Sequence, residues 1–278
     1  MAEFALSAAG LETVALRVKN RNLMIEFYRD IIGFNLKREE NELAIFGNTK
    51  VKSELLWLEE SPYADDHTGE IKKLQRLCLV IPSENEMADL AQRFVKANYP
   101  IKDALTDEES TGILVADPEG NQLEIYFGSK KEHQNPVKLD LSTLAKKATG
   151  EFPQLSEDVH FDKIHLNTSR LKEQQDFLEN VIGLKVQDET SGILALNGGN
   201  FHVGLSAGEG GTLDLTTDDV LGLDFLQFRV PQADILALAD HLKNSEIEFF
   251  IDRKQQIITI YDPTGIEWWF ISEEKKRH

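Results

Sequence analysis

The sequence predicts an α+β protein of four βαβββ units taken in two pairs, and three observations carry that prediction. A strand-and-helix phrase occurs twice: LETVAL (11–16) leads to FYRDIIGF (27–34), and FDKIHL (161–166) leads to FLENVIGL (177–184). Thr13 to Gly33 and Lys163 to Gly183 are the same 20 residues apart. A turn-and-strand phrase also repeats, DPEG (117–120) before LEIYF (123–127) and DPTG (262–265) before EWWF (267–270). Repetition in the same order marks one architecture used in both halves.

Each element has a local reason. Residues 11–18 and 161–166 alternate or run apolar over strand length, whereas 22–32 and 170–182 space their apolar residues helically and stop at Gly33 and Gly183. Short apolar segments follow each glycine, at 42–46 and 53–58 in one copy and at 192–196 and 201–205 in the other. The same grammar returns at 74–82, 84–97 and 113–127, and again at 223–230, 233–244 and 255–271. Between the halves, 129–158 lose alternation and carry lysines, prolines and polar residues, which predicts a surface connector with a short helix at 141–147, part of it packed on a domain. The expected domains are therefore 1–128 and 159–278, with 129–158 as linker.

Composition narrows the function classes. A chain of 278 residues suffices for two domains with cores of their own. A net charge of −18 and a pI near 4.8 argue against nucleic acid or an anionic membrane as partner. The acidic runs 103–110 and 59–70 read as solvated loops, the second with the alternative of a lid. No 18 apolar residues run together and the first residues lack a signal-like pattern, so the expected location is cytoplasmic. The single cysteine, Cys78, permits no internal disulfide, in keeping with a reducing compartment.

With those phrases on the page, the chain resembles the vicinal oxygen chelate superfamily of glyoxalases, extradiol dioxygenases and bleomycin-resistance proteins. More narrowly, NRNLMIEFYRDIIGFNLKREENELAIF (20–46), LEESPYADDHTGEIKKLQ (58–75) and IEWWF (266–270) resemble the CppA family of streptococci and relatives. The resemblance implies two tandem glyoxalase-like domains whose mixed, curved sheets form half-barrels. It also implies the family's label of complement C3 degradation, with C3 as partner. Metal-using members present two histidines and one or two glutamates to a divalent ion. Aligned by motif, this chain places Thr13 and Arg76 at the histidine positions and Glu54 and Glu124 at the acidic ones. The second half places Lys163, Leu205, Phe225 and Trp269 there.

No metal and no other cofactor is expected from that set, since a guanidinium offers only donors. Arg76 between Glu54 and Glu124 reads as a salt bridge filling a former metal space, or as a pocket for a small polar or anionic molecule. Phe225 and Trp269 would close the second cavity with apolar volume. The metal alternative is a displaced divalent site using His165 and Glu267, which share the faces of Lys163 and Trp269. His202 is expected on the face opposite Leu205. Phe46, Trp57 and Tyr126 are expected as core. Cys78 reads as a buried small hydrophobe, with Arg76 on its face as the only activating group in sequence. Neither a Gly-x-Ser-x-Gly elbow nor a His-Glu-x-x-His helix occurs. Two functions follow: a metal-free small-molecule-binding or interaction protein, monomeric or weakly dimeric, or an enzyme. The enzyme would be a divalent-metal lyase or dioxygenase with altered ligands or, by family label, a C3 proteinase.

Overall fold

The protein is described from a computed structural model at residues 4–6, 10–65, 67–128, 136–188, 193–196 and 201–273. Four βαβββ repeats follow one another. The first is β1 (Gly10–Val18), α1 (Arg21–Glu26) continued by a π-helical turn (Phe27–Ile32), β2 (Asn35–Glu40), β3 (Leu43–Gly47) and β4 (Leu56–Glu60). The second is β5 (Leu74–Val80), α2 (Glu84–Ala97), β6 (Ile101–Thr106), β7 (Ser110–Ala116) and β8 (Gln122–Gly128). The connector adds a short β9 (Val137–Lys138) and α3 (Leu141–Ala145), close to the expected helix; its residues 129–135 lie outside the described ones. The third repeat is β10 (His160–Thr168), α4 (Leu171–Phe177) with a second π-helical turn (Leu178–Ile182), β11 (Lys185–Asp188), β12 (Ile193–Ala195) and β13 (His202–Ala207). The fourth is β14 (Gly222–Val230), α5 (Gln232–Asn244), β15 (Phe250–Ile251), β16 (Ile257–Tyr261) and β17 (Glu267–Ser272).

These strands form two curved, unclosed mixed sheets. One has eight strands and the other nine. The chain divides into two compact units, Met1–Leu16 with Ala64–Gln75 and Asp162–His278, and Arg17–Tyr63 with Arg76–Phe161. Among the described residues no helix is long and apolar enough to cross a membrane.

In the second of these units, β2, β3 and β4 form an antiparallel run, and β5 lies parallel to β8, which continues antiparallel through β7 and β6 to β9. Both π-helical turns end at a left-handed glycine, Gly33 at φ 97° and Gly183 at φ 82°, where a side chain would be strained. At Gly33 there is a second reason, because a Cβ would meet the Arg93 guanidinium at 2.7 Å. Arg93 donates to the otherwise exposed carbonyls of Ile31 and Ile32 and to Phe152 O, so one α2 side chain caps the turn and ties down the connector. Burial lowers its pKa to about 10. Glu86 and Asp89 of α2 accept from Ser156, Gly150 and Phe152, completing a charged face that holds 149–156 as the sequence anticipated.

The repeated Asp-Pro-x-Gly phrase proves to be a buried clamp. The Oδ1 of Asp117 accepts the backbone N–H groups of Glu119 and Asn121 in its own turn, while Oδ2 accepts Tyr28 Oη at 2.9 Å and Asn121 Nδ2 at 2.8 Å. Tyr28 belongs to the first repeat and Asp117 to the second, so this carboxylate joins them. Glu119 adds a second tie by accepting from the backbone of Lys19 and Asn20 at the start of α1.

The other unit repeats the device. Asp262 Oδ1 accepts from the backbone N–H groups of Thr264 and Ile266 and from Thr264 Oγ1; Oδ2 accepts Gln174 Nε2 at 2.6 Å and Trp268 Nε1 at 3.1 Å. His241 of α5 takes the place of Arg93, its Nε2 lying 2.8 Å from Asn180 O in the π-helical turn. Here β10 lies parallel to β13, β14 parallel to β17, and β17 continues antiparallel to β16 and β15. Phe228 stacks between Trp268 and Phe270 with ring centroids 5.6 Å from each, filling the helix-side core with planar apolar area.

Of the acidic run 59–70, residues 62, 63, 65 and 68–70 are exposed, as a solvated loop is. The residues that follow it are tied into this unit: buried Lys73 donates to Leu215 O and Thr264 O, Thr212 N donates to Ile71 O, and Asn167 N donates to Lys73 O.

The clamps should dominate stability. Asp117→Ala and Asp262→Ala are each expected to destabilise by about 3 kcal/mol in urea unfolding, through stranded buried donors. Burial pushes the Asp117 pKa from 3.8 up to about 6 against its four hydrogen bonds. Because the folded carboxyl keeps its proton to higher pH than the unfolded one, its contribution is greatest below about pH 4 and is lost as pH rises through about 6. The stability difference between wild type and Asp117→Asn should therefore fall by about 2–3 kcal/mol across that window, as read from unfolding curves at each pH.

Candidate functional site

The strand face away from the helices is where side chains of neighbouring strands converge. On β5 the core side is Leu77 and Leu79, leaving Arg76 and Cys78 on the other face; β8 sends Glu124 and Tyr126 to that same face, in register with Cys78 and Val80. Arg76 Nε lies 3.1 Å from Glu124 Oε2, with the two side chains 32% and 29% exposed. Cys78 Sγ donates to the same Oε2 at 3.5 Å. An ion pair thus occupies this floor, with a thiol aimed at a carboxylate, which disfavours the thiolate, rather than at an imidazole. That is a poor geometry for a nucleophile.

The other sequence-derived positions are distributed differently. Thr13 is fully buried on β1, in the eight-stranded sheet, and its Oγ1 accepts from Gln227 Nε2 at 3.3 Å; it does not share a sheet with Arg76 and Glu124. Glu54 precedes β4, and the acidic residue that β4 carries on the face away from Leu56 and Leu58 is Glu59, beside Trp57. His165 lies on β10 of the nine-stranded sheet and Glu267 on β17 of the eight-stranded one, so that pair is not gathered.

Register also corrects the third repeat. Lys163 pairs with His202, His165 with Gly204 and Leu166 with Leu205, so Leu205 lies on the core face and His202 on the face of Lys163. The alignment had placed Leu205 one residue out of phase, which exchanges faces. The His165 ring lies against Gly204, where a Cβ would meet its Nδ1 at 2.3 Å. Phe225 and Trp269 do come together, stacked with centroids 4.6 Å apart and planes 12° from parallel. Phe46 and Tyr126 are buried and Trp57 is half-buried.

Sequence reasoning missed a polar cluster beside that stack. Arg229 donates to Glu12 Oε1 through Nε at 2.7 Å and approaches it through Nη2 at 2.6 Å, while Gln227 Nε2 donates to Glu12 Oε2 at 3.1 Å. The signal available was the alternation Phe225, Gln227, Arg229 on one strand; what it lacked was the partner strand. Among the described residues no group of three His, Cys, Asp or Glu could hold a divalent ion, and Arg76, which offers only donors, is paired with Glu124.

Family models match most of the chain in two pieces: the CppA C-terminal model at 155–270, and the Glyoxalase/Bleomycin resistance protein/Dioxygenase superfamily model at 10–125. Among solved structures, the cppA protein of Streptococcus pneumoniae superposes with a TM-score of 0.68 at 18% identity, over 98% of this chain and 100% of that one. A putative dioxygenase of Bacillus subtilis gives 0.67 at 16%, over 99% and 87%. Glyoxalase I of Zea mays gives 0.57 at 12%, over 95% and 92%. At these identities the likeness is one of fold. A search of the curated proteins finds no match.

A double-mutant cycle on Arg76→Met and Glu124→Gln should return a coupling of about 0.5–1 kcal/mol in chemical unfolding, the scale of a pair that water still reaches.

Proposed function

We propose, for a chain that belongs to the glyoxalase/bleomycin resistance/dioxygenase superfamily as a CppA-like member, that it works as a binding protein for a small polar or anionic molecule and without a metal centre. The observation that carries this reading is the Arg76–Glu124 pair on the floor formed by β5 and β8. A guanidinium there repels a divalent ion. Its side chain is about a third exposed, so a carboxylate or phosphate can reach its planar donor edge and bind through two parallel hydrogen bonds. Glu124 then sets specificity, because it repels anions that do not engage Arg76 and accepts from ligand hydroxyl or amide donors. We place this protein in the cytoplasm, as a monomer or weak dimer.

The same chemistry distinguishes the enzymatic alternative. A lyase or dioxygenase needs open positions on a Lewis acid, and this floor supplies one carboxylate already held by an arginine. Tag-free protein should carry well below one equivalent of Mn, Fe, Ni or Zn by elemental analysis; near-stoichiometric metal would replace the binding reading with the enzymatic one. Inorganic phosphate and small carboxylates should shift amide resonances around β5 and β8 in a saturable way, and Arg76→Met should weaken that binding at least about tenfold. For the C3-degrading label, incubation of C3 with wild type, Arg76→Met and Glu124→Gln is decisive. Equal cleavage by all three would assign it to another site or a contaminant.

A further inference from the structure

The fourth repeat carries a second face of different chemistry. On β16, Ile258 and Ile260 are fully buried beneath the helix, which turns Ile257, Thr259 and Tyr261 to the opposite side. The antiparallel register places Thr259 directly between Phe250 of β15 and Trp269 of β17, and Tyr261 directly opposite Glu267. Phe250 and Tyr261 are 62% and 63% exposed, whereas Thr259 between them is 8% exposed. Trp269 is itself backed by the stacked ring of Phe225. A short side chain is thus flanked by three aromatic ones, two of them open to solvent.

The rim of this slot is acidic. The Tyr261 hydroxyl is hydrogen-bonded to Glu267 and lies in the field of Asp218 and Asp224; burial, and then Glu267, raise its pKa. The cation on the same strand face, Arg229, is taken up by Glu12. Exposed aromatic side chains around a small floor, with a carboxylate at the rim, attract a positive charge through the ring quadrupoles. We propose that the slot over Thr259, walled by Phe250, Tyr261 and Trp269 and bordered by Glu267, binds a small organic ammonium of the methylated or quaternary amine class. Methyl groups pack on the rings, and the diffuse charge is held by ring faces and by Glu267 without the desolvation cost of a bare ammonium. Because this site takes cations and the Arg76 floor takes anions, the two readings stand or fall separately.

Choline and its uncharged carbon isostere, dimethylbutanol, have the same shape and differ in charge, and saturation-transfer NMR with titration compares them on the full chain. Choline is expected to bind saturably in the millimolar range or tighter, and at least about fivefold more tightly than the isostere. Phe250→Ala, which alters an exposed side chain, and Trp269→Leu should each weaken choline about fivefold or more. Glu267→Gln should weaken it about threefold, and Arg76→Met should leave it unchanged. Circular dichroism checks that each variant is folded. Equal binding of choline and the isostere, no saturable choline binding, or wild-type affinity in folded Phe250→Ala would each overturn the proposal.

Discussion

Two buried carboxylates, Asp117 and Asp262, hold this molecule's repeats in pairs. Each closes the turn before the last strand of its repeat and reaches a helical residue of the repeat before it, Tyr28 in one case and Gln174 in the other. That contact ties the turn before the last strand of the second and fourth repeats to the helix of the first and third. Arg93 and His241 reinforce it by satisfying carbonyls of the two π-helical turns, groups that a helix end would otherwise leave to water. A carboxylate buried so deeply survives only with its oxygens hydrogen-bonded, and in both copies each oxygen accepts.

Side chains of the helical layer and the Asp turns join the first repeat to the second and the third to the fourth. On the strand floors Arg76 meets Glu124 of its own repeat, while Thr13 meets Gln227 of the fourth. The consequence for chemistry is that no strand face assembles the imidazole and carboxylate set a divalent ion needs among the described residues. The floors carry instead an ion pair in one place and an aromatic stack with an amide and a second ion pair in another.

The two halves have diverged in how they use the same scaffold. The second repeat carries charge on its floor, Arg76 against Glu124, and keeps it partly wet. The fourth carries Phe225 and Trp269, planar apolar area with Glu267 beside it.

The sequence by itself determined the four repeats, the glycine-ended helices and the Asp-Pro-x-Gly turns, because those depend on local periodicity and on the identity of single residues. Arg76 beside Glu124 was legible for the same reason, since both strands belong to one repeat. The tertiary structure alone decided that Leu205 and His202 exchange faces, that Glu59 rather than Glu54 lies on β4, and that Ile71 and Lys73 are tied to partners more than 90 residues away. Each of these turns on strand register or on partners remote in sequence. A shift of one residue reverses every side chain of a strand, and nothing local in the chain records which distant strand will lie beside it.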